Sequence, residues 1–397
     1  MKRIRKIITR ILLGVIIVLA LIIAGIVFSG NGYIFKALRD TYLKGYTTAY
    51  IDDYVDFDNA VIKAGVPQPW VLHEKYNQLQ LTDTLRKELE DFQTVGFAIV
   101  KDGKLLYEEY WDNYSDSSLT NVFSMAKSVT TMLLGKAIEQ GYIKGLNQPI
   151  TDFLPEFLGD SLGRLATVGD LSSMRSGFNW DESYSTPINE TTEAYYGGHI
   201  ESQLLKRHFS ERPGGRFKYL SANTELLAII LKRATGKNLA QYLSDEFWKP
   251  MGMEGDALWS KSGEIEKSFC CIYSNIRNFA KFGQLLLQKG RWNGVQLLDS
   301  AFIERMITPC DDAFLPSKPK EYGYSIWIDD TYHPPFYGMI GLLGQRVLVV
   351  PSENLVIVRF GKDKDSVRQS KGALDADTYL MVDEVMKLLF RNHASHF

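Results

Sequence analysis

The hydrophobic pattern changes character several times along the chain. Ile11 to Phe28 (ILLGVIIVLALIIAGIVF) is an uncharged run, roughly 27 Å long as a helix at 1.5 Å per residue. TDTLRKELEDF (82–92) reads as a helix opened by a Thr/Asp start. VGFAIVKDGKLLYEEYW then gives two β-rich runs, and Asp102-Gly103 between them supplies the positive φ of a tight hairpin turn. Asn121 to Gly141 (NVFSMAKSVTTMLLGKAIEQG) is a helix whose apolar face carries Val129, Met132, Leu133 and Ile138. From Ser124 to about Pro309 the pattern is mostly helix and loop. Strand character returns at YGYSIWI (322–328), GQRVLVVP (344–351) and LVIVRFG (355–361), and an amphipathic helix over about 375–391 closes the chain.

Strands at both ends with helices between predict an α+β architecture. One antiparallel sheet is built from the two ends and flanked by the terminal helices, with a helical lobe (about 124–310) inserted in its middle. A site is then expected between the lobes.

The chain has 397 residues, 45% hydrophobic and 23% charged, enough for a sizeable core. Lys2, Arg3, Arg5, Lys6 and Arg10 precede the apolar run. This predicts a cytoplasmic basic segment (1–10), an uncleaved transmembrane signal anchor (11–28), and everything after it outside the cytoplasm. A cleaved signal peptide is the alternative. Residues 29–80, rich in Tyr and Phe, read as a juxtamembrane connector to a domain over 81–397.

Five of the 45 Lys/Arg and none of the 47 Asp/Glu lie in the first 28 residues, so the remainder is net acidic. That excludes a nucleic-acid surface. Three cysteines argue against a disulfide framework, and Cys270 and Cys271 read as buried small residues. Six scattered histidines give no zinc spacing. No metal and no cofactor is expected.

Ser124 and Lys127 share a helix face in the first turn. A serine hydroxyl needs a group to take its proton, and a lysine does this when burial leaves it neutral. A second Ser-x-x-Lys, Ser317-Lys318-Pro319-Lys320, sits in a Pro-rich loop that cannot hold both side chains on one helix face.

FSMAKS resembles the S-x-x-K box of serine β-lactamases and penicillin-recognising enzymes. PGGRFKYLSANTELLAIILKRATG (213–236) is similar to the segment carrying the Tyr-x-Asn box of class C β-lactamases and related esterases. Here it reads Tyr219-Leu220-Ser221, a variant that looks like the 6-aminohexanoate-dimer hydrolase branch. Further matches lie in SSMRSGFNWDE (172–182), FAKFGQLLLQKGRWNG (279–294) and GLLGQRVLVVP (341–351), so the resemblance spans about 95–390.

It implies a β-lactamase-like serine hydrolase with Ser124 as nucleophile and Lys127 as general base. Tyr219 would relay a proton to the leaving group, as phenolate with Lys127 supplying positive charge or through its hydroxyl. Ser221 would bind substrate or Lys127. Asn223 reads instead as the cap of a helix starting near Thr224, and Trp180, Asp181 and Glu182 as pocket lining or a surface turn.

The third box falls on Met339-Ile340-Gly341. Gly341 would allow backbone approach to substrate, and Leu342 would donate its N–H to an oxyanion hole with the N–H of Ser124. Met339 stands where the family has a cation that suits a substrate carboxylate. A neutral ester or amide is therefore the expected substrate. Arg346 is placed on the opposite strand face from Met339.

Three rivals remain. A penicillin-binding-type sensor or D-Ala-D-Ala carboxypeptidase would keep the fold with weak turnover or another substrate. A GDSL-type esterase would use Ser161 of Gly159-Asp160-Ser161-Leu162-Gly163, with Asp330 and His333. That rival lacks the apolar strand that should lead into its serine.

Overall fold

The computed structural model describes residues 2–183, 188–310, 321–370, 372 and 374–394. Its main sheet has six antiparallel strands: β1 (Thr94–Lys101), β2 (Lys104–Tyr110), β3 (Trp327–Asp329), β4 (Phe336–Gly341), β5 (Gln345–Val350) and β6 (Leu355–Gly361). Their spatial order is β3-β4-β5-β6-β1-β2. The two chain ends meet where β6 pairs β1, with Ile357 opposite Ile99. Asp102 (φ 52°) and Gly103 (φ 74°) make the β1–β2 turn as the dipeptide predicts.

Side chains alternate between two apolar layers, so these strands read as nearly continuous hydrophobic runs. Phe97, Ile99, Leu348 and Ile357 pack outward against Leu85 and Leu89 of the helix Asp83–Asp91 and against Val382 and Val385 of the closing helix Ala376–Ala394. Thr82 caps the first of these, accepting from Leu85 N–H at 3.1 Å. Ala98, Val100, Val347 and Val358 face inward, toward the helices Ile276–Leu287 and Met125–Glu139. The α+β sandwich with an inserted helical lobe is therefore the observed fold.

The lobe also holds strands that its sequence conceals. Ala257–Ser262, Ile265–Glu266 and Ile272–Ser274 form a second sheet with Thr120–Asn121 and with Asn59–Ile62. Near the other end, the strand pattern of 322–328 yields strand only from Trp327, because Ser325 turns left-handed (φ 56°) and its carbonyl accepts from the Ser128 hydroxyl at 2.6 Å. Ser317-Lys318-Pro319-Lys320 lies outside the described residues.

The helix Lys2–Phe28 buries none of its residues and is, among the described residues, the one helix long and apolar enough to cross a membrane. The chain after it packs on the main body of the fold. Ile34, Ala37, Ile51 and Ile62 are buried, and Asn59–Ile62 pairs with Ala257–Ser262. Asp53 locks this segment in place. Its carboxylate accepts from the hydroxyls of Tyr195 (2.6 Å) and Tyr273 (2.9 Å) and from the Asn121 amide (3.2 Å), while burial pushes its pKa up to about 6.

Asp53→Ala strands those three donors in a buried site and should lower unfolding free energy on the order of 3 kcal/mol. Urea denaturation at pH 7 measures it. A loss below about 0.5 kcal/mol, the range of ordinary surface substitutions, would show that this segment adds nothing to the folded body.

Candidate active site

Phe123, at φ 46°, turns the chain sharply before the helix Met125–Glu139. The Asn121 side chain fixes that turn. Its Oδ1 accepts from the N–H groups of Phe123 (2.9 Å) and Cys271 (3.2 Å). Ser124 occupies the N-cap, yet its hydroxyl makes no capping bond and its backbone is already helical. The hydroxyl instead accepts from Lys127 Nζ at 3.1 Å.

The amine's second partner is the Phe269 carbonyl, 2.8 Å away. Lys127 is 1% exposed, and burial pushes its pKa down to about 8; the charges of Glu182 and Glu225 pull the other way. Glu225 is buried too, and its pKa is pushed up to about 8 by burial, against the hydrogen bonds that Ser268 donates to it.

Tyr219 lies beside this pair, its ring centroid 5.0 Å from Lys127 Nζ and stacked on Trp327 at 5.6 Å. Burial raises its pKa, and the hydrogen bond with Ser124 offsets this only in part. The phenol is therefore protonated at neutral pH. Its hydroxyl, not a phenolate, is the form available for proton relay, because burial disfavours the phenolate's charge.

Ser221 does not reach Lys127. It opens the helix Ser221–Thr235 and is held by Glu182: its N–H donates to Oε2 (2.7 Å) and its hydroxyl to Oε1 (2.6 Å). A carboxylate at a helix N-terminus is favourably placed. No spacing rule singles out Glu182, since it comes from a loop 39 residues upstream. Trp180 is buried with its indole on Thr191, and Asp181 is exposed. Asn223 is not a cap. The helix begins at Ser221, and Asn223 accepts from the Ser176 hydroxyl at 2.5 Å.

Gly341 ends β4, and its φ of −126° suits any residue. The need for glycine is steric: a Cβ there would stand 2.4 Å from the Val122 carbonyl, on the chain entering Ser124. The close approach is thus to the segment that carries Ser124. Leu342 follows in a short 3-10 turn. Among the described residues, neither its N–H nor that of Ser124 donates to another backbone group, and both residues border the same cavity. Met339 is fully buried on the other side of β4, and Ile340 faces the cavity. Arg346 is committed to the Gly341 carbonyl (3.0 Å) and to Asp375 (2.8 Å).

Cys270 and Cys271 are buried, as expected of small residues, but they are disulfide-bonded to each other, which the sequence pattern does not predict. Counting three cysteines missed a pairing between immediate neighbours. Ser161 is exposed in a turn with no strand leading into it, and Asp160 is occupied by the N–H groups of Leu162, Gly163 and Phe209. That geometry gives the Ser161 rival no activated serine.

The cavity holds about 290 Å³ and Ser124, Tyr219 and Ser221 all open onto it. A two-lobed α+β fold with hydroxyl, buried amine and phenol at the junction defines a serine hydrolase by class. The β-lactamase family model matches residues 81–379, and the chain belongs to that family. The 6-aminohexanoate-dimer hydrolase of Paenarthrobacter ureafaciens is 24% identical over 302 residues, 71% of this chain and 76% of the relative. A Bacillus anthracis structure assigned as a 6-aminohexanoate-dimer hydrolase aligns with a TM-score of 0.72 at 23% identity, covering 85% of this chain and 92% of its own. A family VIII carboxylesterase aligns with a TM-score of 0.61 at 16% identity, covering 80% and 98%.

A neutral Lys127 predicts kcat/KM rising with pH through about 8, a limb that Lys127→Met abolishes along with roughly 10²–10⁴-fold of rate. Stability carries the same signature. Above pH 8 the folded lysine sheds a proton that the unfolded chain keeps until the ordinary lysine range, so unfolding free energy rises with pH across that window. A pH–rate profile flat from 6 to 9 in the parent enzyme would contradict the assignment of a depressed lysine.

Proposed function

We propose that this protein cleaves a neutral ester or amide through an acyl-enzyme on Ser124, tethered to a membrane by its N-terminal helix. The observation that carries this reading is the 3.1 Å contact between the Ser124 hydroxyl and the buried Lys127 amine, whose pKa burial pushes down to about 8. Lys127 takes the hydroxyl proton as Oγ attacks the substrate carbonyl. The resulting ammonium is steadied by the Phe269 carbonyl and the Tyr219 ring face. The N–H groups of Ser124 and Leu342 receive the developing oxyanion. The Tyr219 hydroxyl protonates the leaving group and recovers its proton from Lys127. Water then repeats the sequence on the acyl-enzyme and releases the acid.

A neutral substrate is favoured because position 339 offers the cavity no cation. Lys364 is the cation that the described lining brings, and it is paired with Asp375 at 2.8 Å. The carboxylesterase relative fits this class. For the N-terminal helix, five basic residues before the apolar run favour an anchor with the hydrolase domain outside the cytoplasm.

Intact-mass spectrometry after mixing with a fluorophosphonate and with chromogenic esters tests the assignment. Label on Ser124, absent in Ser124→Ala and present in Ser161→Ala, is expected, and esters should give an acyl adduct that decays with turnover. Adduct that forms and never clears would favour the sensor reading. Activity surviving in Ser124→Ala would end the proposal.

A further inference from the structure

One wall of the cavity comes from outside the family-matched region. Ala37, Thr41, Tyr42, Thr47, Thr48 and Ala49 line it, and all lie between the apolar N-terminal helix and residue 81, where the family match begins. The helix Tyr33–Asp40 packs on Glu190–Tyr196, tied by the Tyr33 hydroxyl to the Asn189 carbonyl at 3.5 Å.

The chemistry of this wall is graded. Ala37 and Ala49 are buried and small, so they leave volume in place of filling it. Thr41 is buried with its hydroxyl donated back to the Ala37 carbonyl at 2.6 Å, which removes its polarity from the cavity. The charged residue of this turn, Asp40, is buried but absent from the lining and is paired with Lys36 and Arg39. Tyr42, Thr47 and Thr48 are exposed and place hydroxyls at the mouth. Tyr195 and Tyr196 stand beside this wall, on the helix it packs against, and Phe123, Phe269, Ile340 and Leu342 line the cavity with them. A largely apolar trough with a hydroxyl rim thus leads to Ser124.

We propose that residues 33–49 form a subsite for the acyl part of the substrate, so that the enzyme selects esters and amides of apolar chains over short or charged acyl groups. This rests on Ser124 being the nucleophile. An apolar chain gains by leaving water for this trough, whereas a charged one finds only Lys364, already paired.

The test uses the full chain in detergent micelles with p-nitrophenyl acetate, butyrate and octanoate, and with ethyl and octyl esters of one aromatic acid. The octanoate/acetate ratio of kcat/KM should exceed about tenfold in the parent enzyme. In Ala49→Leu and, independently, Ala37→Leu, that ratio should fall roughly tenfold as the added methyl groups occupy the trough. Comparing ratios between variants in the same micelles cancels partitioning of the ester, and thermal melting checks that each variant is folded. A ratio unmoved by both substitutions, a parent preference for acetate, or a length preference seen only in the alkyl esters would overturn the subsite. Hydrolysis persisting in Ser124→Ala would instead overturn the nucleophile, so the two failures are told apart.

Discussion

An amine cannot act as a base while it holds a proton, and the surest way to remove that proton near neutral pH is to deny it water. Lys127 is in that position, buried in the first turn of a helix of which Met125–Gly135 are all buried, with one hydroxyl and one carbonyl for partners. Ionising such a group costs several kcal/mol even after the surroundings relax. The rest of the architecture keeps that site dry and in register. Asn121 is the pivot: one amide oxygen holds both the left-handed turn before Ser124 and the segment of Cys271, two residues beyond the carbonyl that receives Lys127. The same side chain donates to Asp53, so the segment after the apolar helix is wired to the nucleophile through two hydrogen bonds.

The sheet was legible because runs of β-branched residues and an Asp-Gly turn are local signals, but the register was not, since β1 and β2 shift against each other between Ile99 and Val100. Ser124 and Lys127 were legible for the same reason, since three residues on a helix settle their mutual geometry. Glu182 was not, because a loop residue acquires its role from the chain it meets. The strands at 257–274 were hidden by brevity and by polar residues such as Ser260 and Lys261, whose partners lie nearly two hundred residues upstream. The wall from Ala37 to Ala49 was invisible in principle. Small residues that matter by leaving space have no periodicity to detect.

Two departures from the family pattern acquire a common physical sense. Where an amide would stand, Ser221 is tied to Glu182; where a cation would stand, Met339 turns into the core and Ile340 takes the cavity. Each change removes a group suited to a polar or anionic substrate. Gly341 is retained for another reason, to let β4 approach the Val122 carbonyl on the chain entering Ser124.

The buried acids and bases around the site shift in a consistent direction. Lys127 and Lys267 are pushed down to about 8 and about 7, while Glu225 is pushed up to about 8 and Asp53 to about 6. Each moves toward its neutral form. For Glu225 the direction matters, because carboxylate charge near Lys127, its own or that of Glu182, raises the lysine's pKa against the effect of burial. Glu225 receives the Ser268 N–H and hydroxyl. The low-dielectric interior thus pushes acid and amine alike toward their neutral forms, and this brings the Lys127 pKa down to about 8, where the free base is within reach.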